Sequence, residues 1–240
     1  MSNPYWDAFF ELHRDLPREG PGLPEDVAWA AGLAGLAADA QMCDVACGPG
    51  ADIPALRAAA PQGSLYAFDK VEHFVAEAQA RYGDDPLTDI AVGDMNDLPG
   101  TYEFVLCAGA IYFMGVTEAL TRWRSALSSG GTIAFSQVCW FTQTPSQYAR
   151  DGWADYPDMT DEAGVCARVA AAGYEVLATR RLSDAAWEAY YTPLDARVAA
   201  VRPNATGALA DVLQESEAEA ALWRDAREEF GYLLCVVRPA

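Results

Sequence analysis

The chain is 240 residues long, 52% hydrophobic, and carries a formal charge of −19 at pH 7. Length and apolar content fit one α/β domain, and no stretch approaches the roughly 20 continuous apolar residues of a membrane span. The acidity sets the surface against nucleic-acid phosphates and anionic membranes, and the first residues lack the basic-then-apolar order of a secretory leader, so a cytoplasmic protein without nucleic-acid or membrane partners is expected.

Residues 6–12 are aromatic and helix-compatible, and they run into the turn-forming segment Leu16-Pro17-Arg18-Glu19-Gly20-Pro21-Gly22. A helix starts near Pro24, with Glu25 and Asp26 suited to the positive end of its dipole. Strands are predicted at 41–46, 64–68, 88–92, 102–108 and 132–140. Helices are predicted at 52–60, 71–82 and 118–127, the last stopping before Gly130-Gly131. This alternation implies βαβ units, hence a doubly wound, mainly parallel sheet with helices on both faces. A helix at 161–172 and a strand at 174–179 follow, then a mostly helical stretch at 184–230 and an apolar strand at 232–237. The expected architecture is therefore one α/β domain over 1–240. It has an N-terminal helical lid (1–37), a sheet core (38–140), and a last part (141–240) with a helical insertion before an antiparallel final strand. The six cysteines form no C-x-x-C pair, and the histidines are only His13 and His73, so reduced thiols and no metal site are expected.

The informative motif is Asp44-Val45-Ala46-Cys47-Gly48-Pro49-Gly50-Ala51-Asp52, which follows a strand and opens a helix. Gly48 and Gly50 permit a tight turn and a close ligand approach, and the helix start offers unpaired N–H groups. Asp69 lies 19 residues beyond Gly50, at the tip of the second strand, where a carboxylate can accept both hydroxyls of a ribose. Lys70 follows it. Asp94-Met95 closes the third strand, placed to take an adenine amino group and pack on the ring. Cys107-Ala108-Gly109-Ala110-Ile111-Tyr112-Phe113 closes the fourth. All four sites follow strand C-termini and converge on one crevice.

These residues resemble the class I S-adenosylmethionine-dependent methyltransferases, small-molecule bacterial subgroup, over roughly 15–140 and the terminal strand. The resemblance implies that Asp44, Ala46, Gly48 and Gly50 line the methionine portion, Asp69 binds the ribose, Asp94 and Met95 hold the adenine, and Ala108 faces the sulfonium end; Lys70 is a further cofactor-binding candidate. S-adenosylmethionine is then the cofactor and S-adenosylhomocysteine the product. Leu16 to Gly22 is similar to a segment in which an arginine meets the cofactor carboxylate; Arg18 is either that arginine or a solvated loop residue.

Methyl transfer needs a general base only if the acceptor loses a proton; the candidates are His13, Tyr112 and Tyr191. The acceptor side is aromatic: Phe9, Tyr112, Phe113, Trp140, Tyr190 and Tyr191 are candidates, with Trp6, Phe10, Tyr148 and Trp187 beside them. Trp187, Tyr190, Tyr191 and Leu194 share one helix face by spacing, which equally describes core packing. The stretch 187–194 resembles trans-aconitate methyltransferase-like enzymes, which implies a carboxylate acceptor met by Arg180, Arg181 or Arg197. Two other readings remain: a nicotinamide-dependent oxidoreductase, although the third glycine of G-x-G-x-x-G is absent, and a catalytically silent protein that binds the same cofactor. Oligomeric state and acceptor identity are not legible.

Overall fold

The computed structural model describes residues 3–240. Seven strands form one sheet: β1 (Met42–Val45), β2 (Leu65–Asp69), β3 (Thr88–Val92), β4 (Tyr102–Cys107), β5 (Leu127–Trp140), β6 (Tyr174–Arg181) and β7 (Phe230–Pro239). Their spatial order is β3-β2-β1-β4-β5-β7-β6. The first five are mutually parallel, with Met42 level with Leu65 on one side and Phe104 on the other. β7 runs antiparallel between β5 and β6. This is the mainly parallel sheet expected, with the antiparallel strand inside the final pair. All four residues of β1 are buried, as a strand covered on both faces must be.

Helices α1 (Pro4–His13), α2 (Pro24–Ala34), α3 (Ile53–Ala59), α4 (Glu72–Tyr82), α5 (Val116–Trp123), α6 (Gln147–Gly152), α7 (Glu162–Ala171), α8 (Asp184–Val201) and α9 (Ala208–Ala226) surround the sheet. Their starts follow local chemistry. The Asn3 side chain accepts from Tyr5 N–H at 3.1 Å before Pro4. Asp26 reaches back to Leu23 N–H at 2.9 Å, and Ser183 accepts from Ala186 N–H at 3.2 Å. α8 and α9 form the helical insertion before β7, and α1 packs on both. That cover has its own core, in which Leu12, Trp187, Tyr191, Leu213 and Trp223 are buried.

Two boundaries depart from expectation. The helix predicted at 118–127 starts at Val116 and ends at Trp123 in a tight turn, and β5 begins at Leu127 instead of 132. The strand tolerates the glycine pair because Gly130 takes φ 83° where the β4–β5 register shifts, a bulge that a side chain would resist. α6 was not predicted; Ser146 caps it by accepting from Ala149 N–H at 3.1 Å. Among the described residues, no helix is long and apolar enough to cross a membrane.

The fold brings the C-terminal ends of β1, β2, β3 and β4 to one edge. Chain order reverses between β1 and β4, which opens a crevice there. Trp123 anchors this edge from below. It is fully buried, and its indole N–H donates to the Met95 carbonyl at 2.8 Å. Trp123→Ala should lose about 3–5 kcal/mol of stability in urea denaturation; a loss below about 1 kcal/mol would show that this contact does not hold the β3 end.

Candidate functional site

The loop from β1 to α3 makes its turn through left-handed backbone: Ala46 has φ 57°, Gly48 φ 53° and Gly50 φ 86°. At Gly50 a Cβ would lie 2.9 Å from Ile53 and 3.0 Å from Tyr82, so only glycine fits. Ala46 holds the same region at a cost of about 1–2 kcal/mol. Neighbouring bonds hold it there: Cys47 N–H donates to the Phe68 carbonyl at 3.0 Å, and Gly48 N–H donates to Asp69 Oδ2 at 2.9 Å. Asp69 Oδ1 accepts from Val71 N–H, also at 2.9 Å. The carboxylate at the tip of β2 thus braces the glycine loop and still has lone pairs to spare.

Three buried carboxylates gather here, Asp44, Asp52 and Asp69, with exposures of 2%, 9% and 8%. One guanidinium faces them: Arg18 lies 3.5 Å from Asp52 and donates its Nε–H to the Gly20 carbonyl. Asp44 Oδ2 is buried with no hydrogen-bond partner among the described residues. Desolvation pushes the Asp44 carboxyl well above its usual range. The charges of Asp52 and Asp69 push it further, and Arg18 opposes them. Desolvation also raises Asp69 and Asp52; backbone N–H bonds oppose the rise at Asp69 and Arg18 opposes it at Asp52.

A cavity of about 800 Å³ opens above this loop. Its lining includes Arg18, Asp44, Ala46, Gly48, Asp69, Lys70, Asp94, Met95 and Ala108, with Phe9, Tyr112 and Phe113 on the side of α1 and the β4 tip. Asp94 is half-exposed and held by Asn96, whose backbone N–H and amide donate at 2.9 and 2.7 Å; Lys70 Nζ stands 3.5 Å away. The Asn96 N–H bond, first among these contacts, keeps the Asp94 carboxyl below its ordinary value.

Other expected residues do not line this cavity. Gly50 shapes the turn beneath it. Trp140 lies at the far end of β5, half-buried against Phe230, and borders a different depression with Trp153 and Tyr156. Tyr190 and Tyr191 are buried behind the wall, in the core of the cover. His13 is 2% exposed, stacks on Phe9 with ring centroids 3.9 Å apart, and bonds Glu19 at 2.6 Å through Nδ1. His73 sits in the first turn of α4, against Phe10 and Phe74. Sequence reasoning missed Glu19. It lines the cavity beside Gly48, and its Oε1 is buried without a partner. Burial raises its carboxyl, and His13 opposes the rise. Its neighbour Arg18 drew attention to the segment but gave no sign of the acid.

The arrangement is a cofactor-sized cleft with an acidic floor, a braced glycine turn and an aromatic wall. Residues 42–131, from β1 into β5, match the family model described as a methyltransferase domain. An uncharacterized 37.1 kDa protein of transposon TN4556 from Streptomyces fradiae is 27% identical over 121 residues, which are 48% of this chain and 32% of that protein; the match spans about a third of that relative's length. The fold is similar to that of a SAM-dependent methyltransferase from Geobacter sulfurreducens solved with S-adenosyl-L-homocysteine (TM-score 0.83, 18% identity, 98% of each chain). It is also similar to geranyl diphosphate C-methyltransferase from Streptomyces coelicolor (TM-score 0.64, 14% identity, 90% of this chain and 76% of that one). The segment that carries the glycine loop and the cleft strands thus matches a methyltransferase-domain model, and the whole chain shares its fold with a SAM-dependent methyltransferase.

Proposed function

We propose that the chain transfers a methyl group from S-adenosylmethionine to a small-molecule acceptor. The observation that carries this reading is Asp44 Oδ2, a buried carboxylate oxygen with no partner in the lining of the cavity. Desolvation and the neighbouring acids disfavour the ionised form of this carboxyl, and an entering cation such as the cofactor's α-ammonium would favour it. Arg18 offers a planar fork to the methionine carboxylate. Asp69 has free lone pairs for ribose hydroxyls, Lys70 stands at the rim, and Asp94 and Met95 frame the adenine. Ala46 and Gly48 pass under the methionine chain, and Ala108 faces the sulfonium end. When bound, the cofactor supplies an electrophilic methyl group. The chain's part is to hold the two reactants in line and keep water out. Phe9, Tyr112 and Phe113 form the wall on the acceptor side, and a cleft of this volume lies within the usual range for small-molecule sites. The Streptomyces coelicolor neighbour, named for methylating geranyl diphosphate, supports a small acceptor by analogy.

The nicotinamide reading meets an electrostatic obstacle. A pyrophosphate over this loop would face Asp44, Asp52, Asp69 and Glu19 without an ammonium group of its own to offset them. A carboxylate acceptor also lacks support. Arg180 bonds Asp26 and lies over Trp29 at 4.7 Å, and Arg181 lies over Phe141 at 4.0 Å. Arg197 donates to the carbonyls of Glu11 at 3.0 Å and Leu12 at 3.3 Å.

In calorimetry the chain should bind S-adenosylhomocysteine, and Asp69→Ala should weaken that binding by about 1.5–3 kcal/mol. An unchanged affinity would remove Asp69 from the site. With a labelled methyl donor, transfer to at least one member of a metabolite library separates an enzyme from a silent binder.

Asp44 gives a second test through linkage. Its folded carboxyl keeps a proton that the unfolded chain releases, so its contribution to stability falls as pH rises above the ordinary carboxylate range. Asp44→Asn should therefore gain on the order of 1 kcal/mol of stability at pH 7, a gain that shrinks toward acid pH, while S-adenosylhomocysteine binds at least about tenfold more weakly. A variant that is less stable at pH 7 and binds normally would contradict this assignment.

A further inference from the structure

Behind the cleft wall lies a group of polar side chains that the methyl-donor site does not use. Tyr191 donates its hydroxyl to Glu219 Oε1 at 2.9 Å. Tyr190 and Tyr232 are buried, at 8% and 9% exposure, and Tyr112 is half-buried at the cleft. The hydroxyls of Tyr112, Tyr190 and Tyr232 make no hydrogen bond among the described residues, yet none is sealed off as a buried orphan. They open instead onto a space that solvent can enter. Glu219 shows the same duality. It keeps a large accessible surface, while desolvation pushes its carboxyl up and the Tyr191 hydroxyl opposes the rise. Both hold if that surface faces a chamber walled by protein rather than bulk water.

The chamber adjoins the end of the cleft where the methyl group would be presented. Tyr112 and Gly109 line the cleft, and Gly109 passes so close to the chamber that a Cβ there would lie 3.5 Å from the Tyr232 ring. Tyr191, bonded to Glu219, packs on Tyr190 with ring centroids 5.1 Å apart, and Trp187 joins it to Tyr232 at 5.8 and 5.0 Å, so these side chains form one cluster.

The electrostatics of this space are one-sided. His13, from α1, bonds Glu19 at 2.6 Å, so its imidazole is already held by another acid. Arg224 stands over Tyr191 at 5.8 Å, but Glu188 and Asp195 hold its guanidinium, each at 2.8 Å. Glu215 on the same helix is taken by the Tyr5 hydroxyl at 2.9 Å. Among the described residues, no arginine or lysine forms an ion pair with Glu219, and Arg224 of the same helix is held by Glu188 and Asp195. A carboxylate bonded by one tyrosine hydroxyl, beside further tyrosine side chains and without an ion-pair partner among the described residues, matches an ammonium group: the acid takes its charge and nearby rings can add cation–π attraction.

We propose that the methyl acceptor is a small organic cation, bearing an amine or quaternary ammonium group, held by Glu219 in a tyrosine-walled chamber between α1, α8, α9 and β7. This rests on the methyl-transfer reading for the word acceptor; the chamber's preference for cations does not.

The test is calorimetric titration of the full chain, with and without saturating S-adenosylhomocysteine, using benzylamine, benzyl alcohol and benzoate as matched probes. Benzylamine should bind at least about tenfold more tightly than either of the others. Glu219→Gln should lose about ten- to a hundredfold in benzylamine affinity, while S-adenosylhomocysteine affinity stays at the wild-type value and so certifies the fold. Tyr190→Phe should keep most of the benzylamine affinity, since its ring face remains. Benzoate binding as well as benzylamine, an unchanged benzylamine affinity in Glu219→Gln, or no benzylamine binding at millimolar concentration would each overturn the proposal. Loss of S-adenosylhomocysteine binding with benzylamine binding intact would instead overturn the methyl-donor reading and leave the cation chamber standing.

Discussion

A carboxylate kept from water without a partner is among the costlier features a fold can carry, and the organisation of this protein turns on one. Asp44 is the penultimate residue of a fully buried strand in the middle of the sheet, and one of its oxygens has no hydrogen-bond partner among the described residues. Asp52 and Asp69 lie close enough to raise it further, and the single nearby guanidinium is shared with Asp52. Such a cluster lowers stability in the free protein. It is tolerated because the surrounding frame is stiff: β1 is flanked by β2 and β4, the glycine turn is braced by Asp69, and the Met95 carbonyl is tied down by a buried tryptophan. The free energy lost to this arrangement is recoverable when a positively charged group enters the cleft, and that is the physical link between fold and ligand class.

The same logic extends across the molecule. Negative charge turned inward recurs at Glu19, whose Oε1 is buried and unpartnered, and at Glu219 behind the wall. The positive residues, by contrast, are mostly committed. Arg57 braces the end of α3, Arg81 holds the carbonyls of Pro49 and Leu16, and Arg224 sits between Glu188 and Asp195. The interior spaces are thus biased toward cationic guests at two adjoining places, one suited to a sulfonium and ammonium cofactor and one to the molecule beside it.

Much of the sheet and its crevice is legible in the sequence. Strands such as β4 announce themselves because a parallel strand covered on both faces needs a nearly unbroken apolar run, here Phe104-Val105-Leu106-Cys107. The cleft residues follow from topology, since each strand tip is marked by a polar or glycine residue where the apolar run stops. The misreadings have local causes. The glycine pair at 130–131 looks like the end of a helix, but it forms a bulge inside a strand that begins earlier. Trp140 looks like an acceptor contact because aromatic residues serve cores and pockets equally well; only tertiary packing sends it to another depression. Glu219 left no signal at all. It stands in Gln214-Glu215-Ser216-Glu217-Ala218-Glu219, a run that reads as a solvated helix face, and only the packing of α1 on α9 turns one of its acids inward.

A crystal structure with S-adenosylhomocysteine bound would test the central claim most directly. The account predicts the ligand's ammonium group within hydrogen-bonding distance of Asp44 Oδ2, its ribose on Asp69, and its sulfur turned toward Ala108 and Tyr112. Density for the ligand outside this cleft, or an ammonium group directed away from an Asp44 that stays unpartnered, would contradict it.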